Sequence, residues 1–220
     1  MLEEPLTLHR AQAIVESFST DRVTYPHRDV HSRKGVCKIL IEEFCPLVRL
    51  AEEFQHVDHI RLLPEAHQGP DGEIGLRDRE PLQVQITCSS QSRDRALQRE
   101  QLRDGKITFT HQHHDRDKST KRVVATGRAS TTPAADVQSR VTRIMGAIEA
   151  KEEKFYAGTD ILLVLDDSSN FKHLEGLHEA VCEEIRPRPR SHYRQIYVSY
   201  GNDLKQVSSA PDDLSQANLE

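Results

Sequence analysis

Three side chains in one short stretch could act together on a charged substrate: Asp71, Gln83 and Gln85. Asp71 stands in Gly69-Pro70-Asp71-Gly72, a turn sequence, and a short apolar run at Ile74 and Leu76 follows it. A charged turn, Arg77 to Glu80, leads to Leu82, Val84 and Ile86, which alternate with Gln83, Gln85 and Thr87. Period-two alternation bounded by Pro and polar residues predicts a strand with one buried face. Two short strands across a tight polar turn predict a hairpin. Residues two apart on a strand project the same way, so Gln83 and Gln85 share a face. A carboxylate at the mouth of the first strand and two amides on the second can therefore converge on one spot. Local sequence leaves blander readings open. Asp in Gly-Pro-Asp-Gly is favourable turn chemistry, and alternating glutamines are the ordinary polar face of a half-exposed strand.

Other candidate chemistry is basic or imidazole-based. From Ser89 to Arg128 ten Lys and Arg face five Asp and Glu, a balance of +5 in a chain whose net charge is −5. The remainder therefore carries −10. A basic segment on an acidic body marks a surface for nucleic acid or another polyanion, or else a solvated polar insertion. Within it Arg93, Arg95, Arg99, Arg103, Lys118, Lys121 and Arg122 are the candidates for phosphate contacts. His111, His113 and His114 cluster near Asp115 and Asp117. On a strand His111 and His113 would share a face and could hold Zn²⁺ or Ni²⁺, whereas a solvated hairpin tip needs no metal. The sequence shows no P-loop, no GxGxxG, no nucleophile elbow and no evident Cys–His setting. The four cysteines, Cys37, Cys45, Cys88 and Cys182, form no CxxC pair and read as reduced thiols. The first residues, MLEEPLTLHR, have no basic and apolar leader, and no run approaches the roughly 20 apolar residues of a membrane span. The expectation is a soluble, cytoplasmic protein.

The elements that must position these groups can be taken in order. Leu8, Ala11, Ile14, Val15 and Phe18 predict a helix over 6–18, and polar residues 21–34 predict a loop. Val36, Leu40 and Phe44 resume helical spacing. Pro46 would break an interior helix, which predicts a kinked helix or two consecutive helices through Phe54. Ile60 to Leu63 reads as a short strand. Beyond the hairpin, 93–103 reads as a basic helix, and 106–110 with 122–126 read as strands around a polar loop. Thr131-Thr132-Pro133 announces a long amphipathic helix through Val137, Val141, Ile144, Ile148 and Phe155, stopped at Gly158. The unbroken apolar run Ile161 to Leu165 predicts a strand buried on both faces, hence a central place in an α/β sheet. Asp166 and Asp167 end that run, a place where α/β folds often set functional groups, though capping the next turn is the simpler role. A helix over 174–185 and a strand over 195–200 complete the core, followed by a polar tail.

This order of helix, hairpin, helix, buried strand, helix and strand resembles the restriction-endonuclease-like, PD-(D/E)XK, superfamily. Pro70-Asp71 stands where its Pro-Asp would be. Leu82-Gln83-Val84-Gln85 stands where its apolar-Glu-apolar-Lys strand would be, and IEAKEEKFYAGTDILLVLDD is similar to the helix and core strand that follow. The resemblance spans roughly 36–200. It implies an α/β fold with a restriction-endonuclease-like mixed central sheet flanked by helices and a polar hairpin insertion. It divides the chain into an N-terminal helix and loop (1–35), the core (36–200, with the basic insertion about 89–128) and a flexible tail (201–220). It also implies Mg²⁺ held by acidic side chains, because phosphodiester hydrolysis needs a hard cation to neutralise phosphate oxygens and acidify water. Here Gln83 replaces the acidic ligand and Gln85 the Lys. An amide can coordinate Mg²⁺ but adds no charge, so Glu73, Glu65 or Glu43 would have to join Asp71 as a ligand. Two functional expectations follow, with Asp71, Gln83 and Gln85 as the catalytic set in the first. One is a nucleic-acid-binding, Mg²⁺-dependent phosphodiester hydrolase. The other is a catalytically inactive binding or scaffold module of the same fold. A third possibility is an unrelated α/β protein whose hairpin carries no site.

Overall fold

A computed structural model of the chain describes residues 2–21, 24, 36–64, 69–89, 112–128, 132–166, 176–188, 191–201 and 203–209. Its centre is a mixed six-stranded sheet in the order β1-β2-β3-β6-β7-β8. The strands are β1 (Val57–Leu62), β2 (Gly72–Leu76), β3 (Leu82–Cys88), β6 (Ile161–Asp166), β7 (Gln195–Tyr200) and β8 (Asp203–Ser209). β1, β2 and β3 form an antiparallel meander. β3, β6 and β7 run parallel, and β8 returns antiparallel to β7. A separate two-stranded sheet pairs β4 (Gln112–Arg116) with β5 (Val123–Arg128). The expected α/β class, the central buried strand and the flanking helices are all present.

The helices cover the two faces differently. On one face α1 (Leu8–Thr20), the short α2 (Val36–Ile39), a π turn (Leu40–Phe44) and α3 (Cys45–Ala51) bury Leu40, Phe44, Leu47 and Leu50 against Ile60, Ile74, Val84, Ile86 and Leu163. On the other, α4 (Pro133–Glu152) and α5 (Leu177–Ile185) bury Ile144, Ile148, Leu177 and Val181 against Leu162, Val164, Ile196 and Val198. Each such side chain contributes about 1.5–3 kcal/mol on burial. All six residues of β6 are buried, the result that a run apolar at every position requires.

Local chemistry explains the boundaries. Thr132 caps α4, its Oγ1 accepting from the Ala135 N–H at 3.3 Å, with Pro133 in the first turn. Gly158, at φ +89°, supplies the left-handed turn after it. Pro46 lies in the first turn of α3. The turn before it widens to π geometry, with the Cys45 N–H on the Leu40 carbonyl, which makes room where a proline ring would meet the preceding turn. The expected second helix stops at Ala51 rather than Phe54. The N-terminal segment pairs with the outer edge of β1 through Leu6 and Ile60, shielding that edge.

Further expectations are corrected. The stretch read as a polar loop between two strands itself contains strand β4, Gln112–Arg116, paired with β5, and α4 ends at Glu152, before Phe155 and Gly158. Part of the polar tail, Asp203–Ser209, is strand β8. Its two apolar residues, Leu204 and Val207, pack against opposite faces of the sheet, and a register shift opposite Ile196/Tyr197 breaks its alternation. Neither periodicity is visible in such a segment. The readings for 93–103, 106–110 and most of 21–34 lie outside the described residues, as do Glu65 and Asp167.

A buried ion pair closes the carboxyl end of β6. The Arg140 guanidinium of α4 reaches Asp166, Nε donating to Oδ2 at 2.8 Å, and both side chains are about 1% exposed. Removing one member of such a pair strands a buried charge. Asp166→Ala is expected to cost about 3–5 kcal/mol in urea unfolding. Arg140→Met combined with Asp166→Leu is expected to cost much less than that single change. Equal stability of Asp166→Ala and the parent chain would show that the pair does not hold α4 to the sheet.

Candidate functional site

The meander sets its polar residues on the same face as α4 and α5. Arg61 pairs with Glu73, Glu73 with Gln83, and Gln85 with Leu162, so these side chains line up across four strands. Asp71, two residues before Glu73, belongs to the same face. The helices lie over β6–β8, and the polar row occupies the β1–β3 half. Asp71, Glu73, Gln83 and Gln85 thus share one side of the sheet.

Each of them is already engaged. Glu73 is buried and collects four contacts. Arg61 donates from Nε to Oε1 at 2.9 Å and from Nη2 to Oε2 at 3.1 Å. Gln83 Nε2 donates to Oε2 at 2.8 Å, and His59 Nε2 lies 3.0 Å from Oε1. Burial on its own raises the Glu73 pKa, but the hydrogen bonds from Arg61, His59 and Gln83 and the Arg61 charge outweigh it, so the carboxyl titrates below its ordinary value. The His59 ring lies over Gly75, where a Cβ would fall 2.2 Å from it. Glycine at that position lets the imidazole reach Glu73.

Asp71 caps the end of a ladder. Its backbone N–H donates to the Val84 carbonyl at 2.8 Å. Its Oδ2 accepts from the Ile86 N–H at 2.6 Å, a donor lying past the last β2–β3 residue pair. Gln85, only 1% exposed, accepts from the Tyr193 hydroxyl at 2.6 Å. Burial, then the nearby carboxylates of Glu152 and Asp71, hold that phenol protonated. Asp160 ties three strand starts together: it accepts from the Gln83 N–H at 3.0 Å through Oδ2, gives its own N–H to the Gln83 carbonyl and receives the Arg194 N–H. Glu43 is half-buried on the π turn, one helical turn before Leu47, whose methyls fill the space beside Gly72.

This donor set does not suit Mg²⁺. The ion needs several anionic or carbonyl oxygens with free lone pairs. Glu73 is already balanced by a guanidinium, Asp71 gives an oxygen to a backbone N–H, and the Gln85 carbonyl faces a hydroxyl. Among the described residues no group of three or more His, Cys, Asp or Glu side chains is placed to hold a metal ion.

The phosphate-contact candidates divide. Arg93, Arg95, Arg99, Arg103 and His111 lie outside the described residues. Lys118, Lys121 and Arg122 are exposed on the turn joining β4 to β5. Asp117 organises that turn, and the Ser119 hydroxyl and the Thr120 N–H and hydroxyl hold its carboxyl down to about 2. Sequence reasoning missed Arg61, His59, Tyr193 and Asp160. His59 and Arg61 stand two apart on β1, which is a signal that they share a face but not that they meet Glu73. It also missed a Cys–His pair: α5 brings Cys182 Sγ 3.6 Å from His178 Nε2 at i, i+4 spacing. Burial and the Glu179 charge raise that thiol's pKa, which opposes a nucleophilic thiolate. None of the four cysteines is in a disulfide, and burial pushes the Cys45 thiol up to about 11.

No family model matches this chain, and no curated protein or solved structure matches it. Among the described residues no helix is long and apolar enough to cross a membrane.

A depressed carboxyl pKa in the folded state adds stability at pH values above the unfolded one, and that stability is lost as pH falls through the folded value. Glu73→Gln is therefore expected to be clearly less stable than the parent at neutral pH. The gap should narrow below the ordinary glutamate value, about pH 4.3. Denaturant unfolding of both proteins across that range checks it, and a gap independent of pH would rule out the ionised pair.

Proposed function

We propose that this chain is a nucleic-acid-binding protein of restriction-endonuclease-like fold whose catalytic position has become a structural polar network, so that it binds without hydrolysing. The mixed sheet flanked by helices supports the fold reading. So do Asp71 at the mouth of β2, the amide pair on β3, and the long helix leading into the central strand. The observation that carries the functional reading is the state of Glu73. A guanidinium, an imidazole and an amide occupy both of its oxygens. A cation placed there would have to displace Arg61 and leave it unpaired beside a positive charge. Lys118, Lys121 and Arg122 supply exposed cationic surface, and phosphate neutralisation by Lys and Arg needs no metal.

Mg²⁺-dependent hydrolysis is the competing reading, favoured by the shared face of Asp71, Glu73, Gln83 and Gln85. The discriminating variant is Asp71→Asn. It keeps an oxygen for the Ile86 N–H while removing the charge a metal would need. Incubation with DNA and with RNA, with and without Mg²⁺ or Mn²⁺, is expected to show binding but no metal-dependent cleavage. Titration calorimetry is expected to show no Mg²⁺ uptake. Cleavage that requires the metal and disappears in Asp71→Asn would establish the hydrolase instead.

A further inference from the structure

The β4–β5 hairpin is built apart from the main sheet. Its strands form their own two-stranded ladder, from Gln112 opposite Arg128 to Arg116 opposite Val123. Val123 is buried at the turn end of β5, while Val124 beside it is exposed. The turn beyond is held by its own hydrogen bonds. The Asp117 N–H donates to the Arg122 carbonyl and the Lys121 N–H to the Asp117 carbonyl, both at 2.9 Å. Asp117 Oδ1 accepts from the backbone and hydroxyl of Ser119 and of Thr120 at 2.5–3.0 Å. These donors point at the turn's only carboxylate, while the three cationic side chains, Lys118, Lys121 and Arg122, are exposed. Residues 112–128 hold five Lys and Arg against two Asp, within a chain of net charge −5. Residues 112–128 thus carry a net charge of +3 on an acidic chain, with three of the cations on the turn.

Three properties select the partner. Exposed Lys and Arg neutralise phosphates. Residues 112–128 contain no Phe, Tyr or Trp, whereas binders of single strands stack bases on aromatic rings. Two strands lie about 5 Å apart, and such a ribbon enters the roughly 12 Å major groove of B-form DNA. The deep, narrow major groove of A-form RNA does not admit it.

We infer that the β4–β5 hairpin grips B-form duplex DNA, its strands along the major groove and Lys118, Lys121 and Arg122 on the flanking phosphates; this rests on the nucleic-acid-binding reading above. The test is fluorescence anisotropy of the full chain with a short DNA duplex over a range of salt, beside the variant Lys118→Gln/Lys121→Asn/Arg122→Gln. Asn is chosen at 121 because Lys121 has a left-handed backbone, φ +57°, which Asn tolerates. The turn's Asp117, Ser119 and Thr120 are untouched, and circular dichroism confirms that both proteins are folded. The variant is expected to bind about ten-fold or more weakly. The slope of log affinity against log salt is expected to fall by about two to three, close to one per lost phosphate contact. If the parent binds duplex DNA and the variant matches it in affinity and slope, the hairpin inference is overturned while the nucleic-acid reading stands. Tighter binding of single-stranded DNA or duplex RNA overturns the choice of partner. If the parent binds no nucleic acid, both readings fall.

Discussion

The meander depends on neutralising one carboxylate taken out of water. Glu73 stands in the middle strand of three, with 7% of its side chain exposed. A buried carboxylate is tolerated only when paired and hydrogen-bonded. Its partners come from both neighbouring strands, Arg61 and His59 from β1 and Gln83 from β3. A slip of one residue in either pairing would turn one set to the opposite face and leave the charge alone. The pairing register of β1–β3 and the ionisation of Glu73 are thus one constraint. Gly75 belongs to it, because a side chain there would push His59 off its partner.

That constraint bears directly on function. A sheet face with an aspartate, a glutamate and two amides looks, residue by residue, like the floor of a metal site. Coordination needs lone pairs facing a shared point, and here they face protein donors. Arg61 supplies the positive charge that a divalent cation would otherwise bring. The buried Arg140–Asp166 pair does for α4 and β6 what Arg61 and Glu73 do for the meander. In both places charge serves to join elements.

Much of the frame was legible in the chain. Alternation at 82–87 placed Gln83 and Gln85 on one face, the unbroken run at 161–165 marked the central strand, and Thr132-Pro133 marked the start of α4. Each is a short-range signal in which side-chain pattern follows backbone period. β8 was not legible, because Leu204 and Val207 serve opposite faces across a register shift. The π turn before Pro46 was not legible either, since proline announces a conflict without saying how the backbone will resolve it.

The partners of the polar residues belong to a different level. Sequence by itself determined which residues are polar, which strand each occupies and which side it faces, because these follow from a period of two along a single strand. Only the tertiary structure decided that Glu73 meets Arg61 and His59, that Asp71 closes on the Ile86 N–H, and that Tyr193 lies over Gln85. Those contacts join residues from 12 to 108 positions apart. They exist because separate strands were brought into one register by the burial of their other, apolar side.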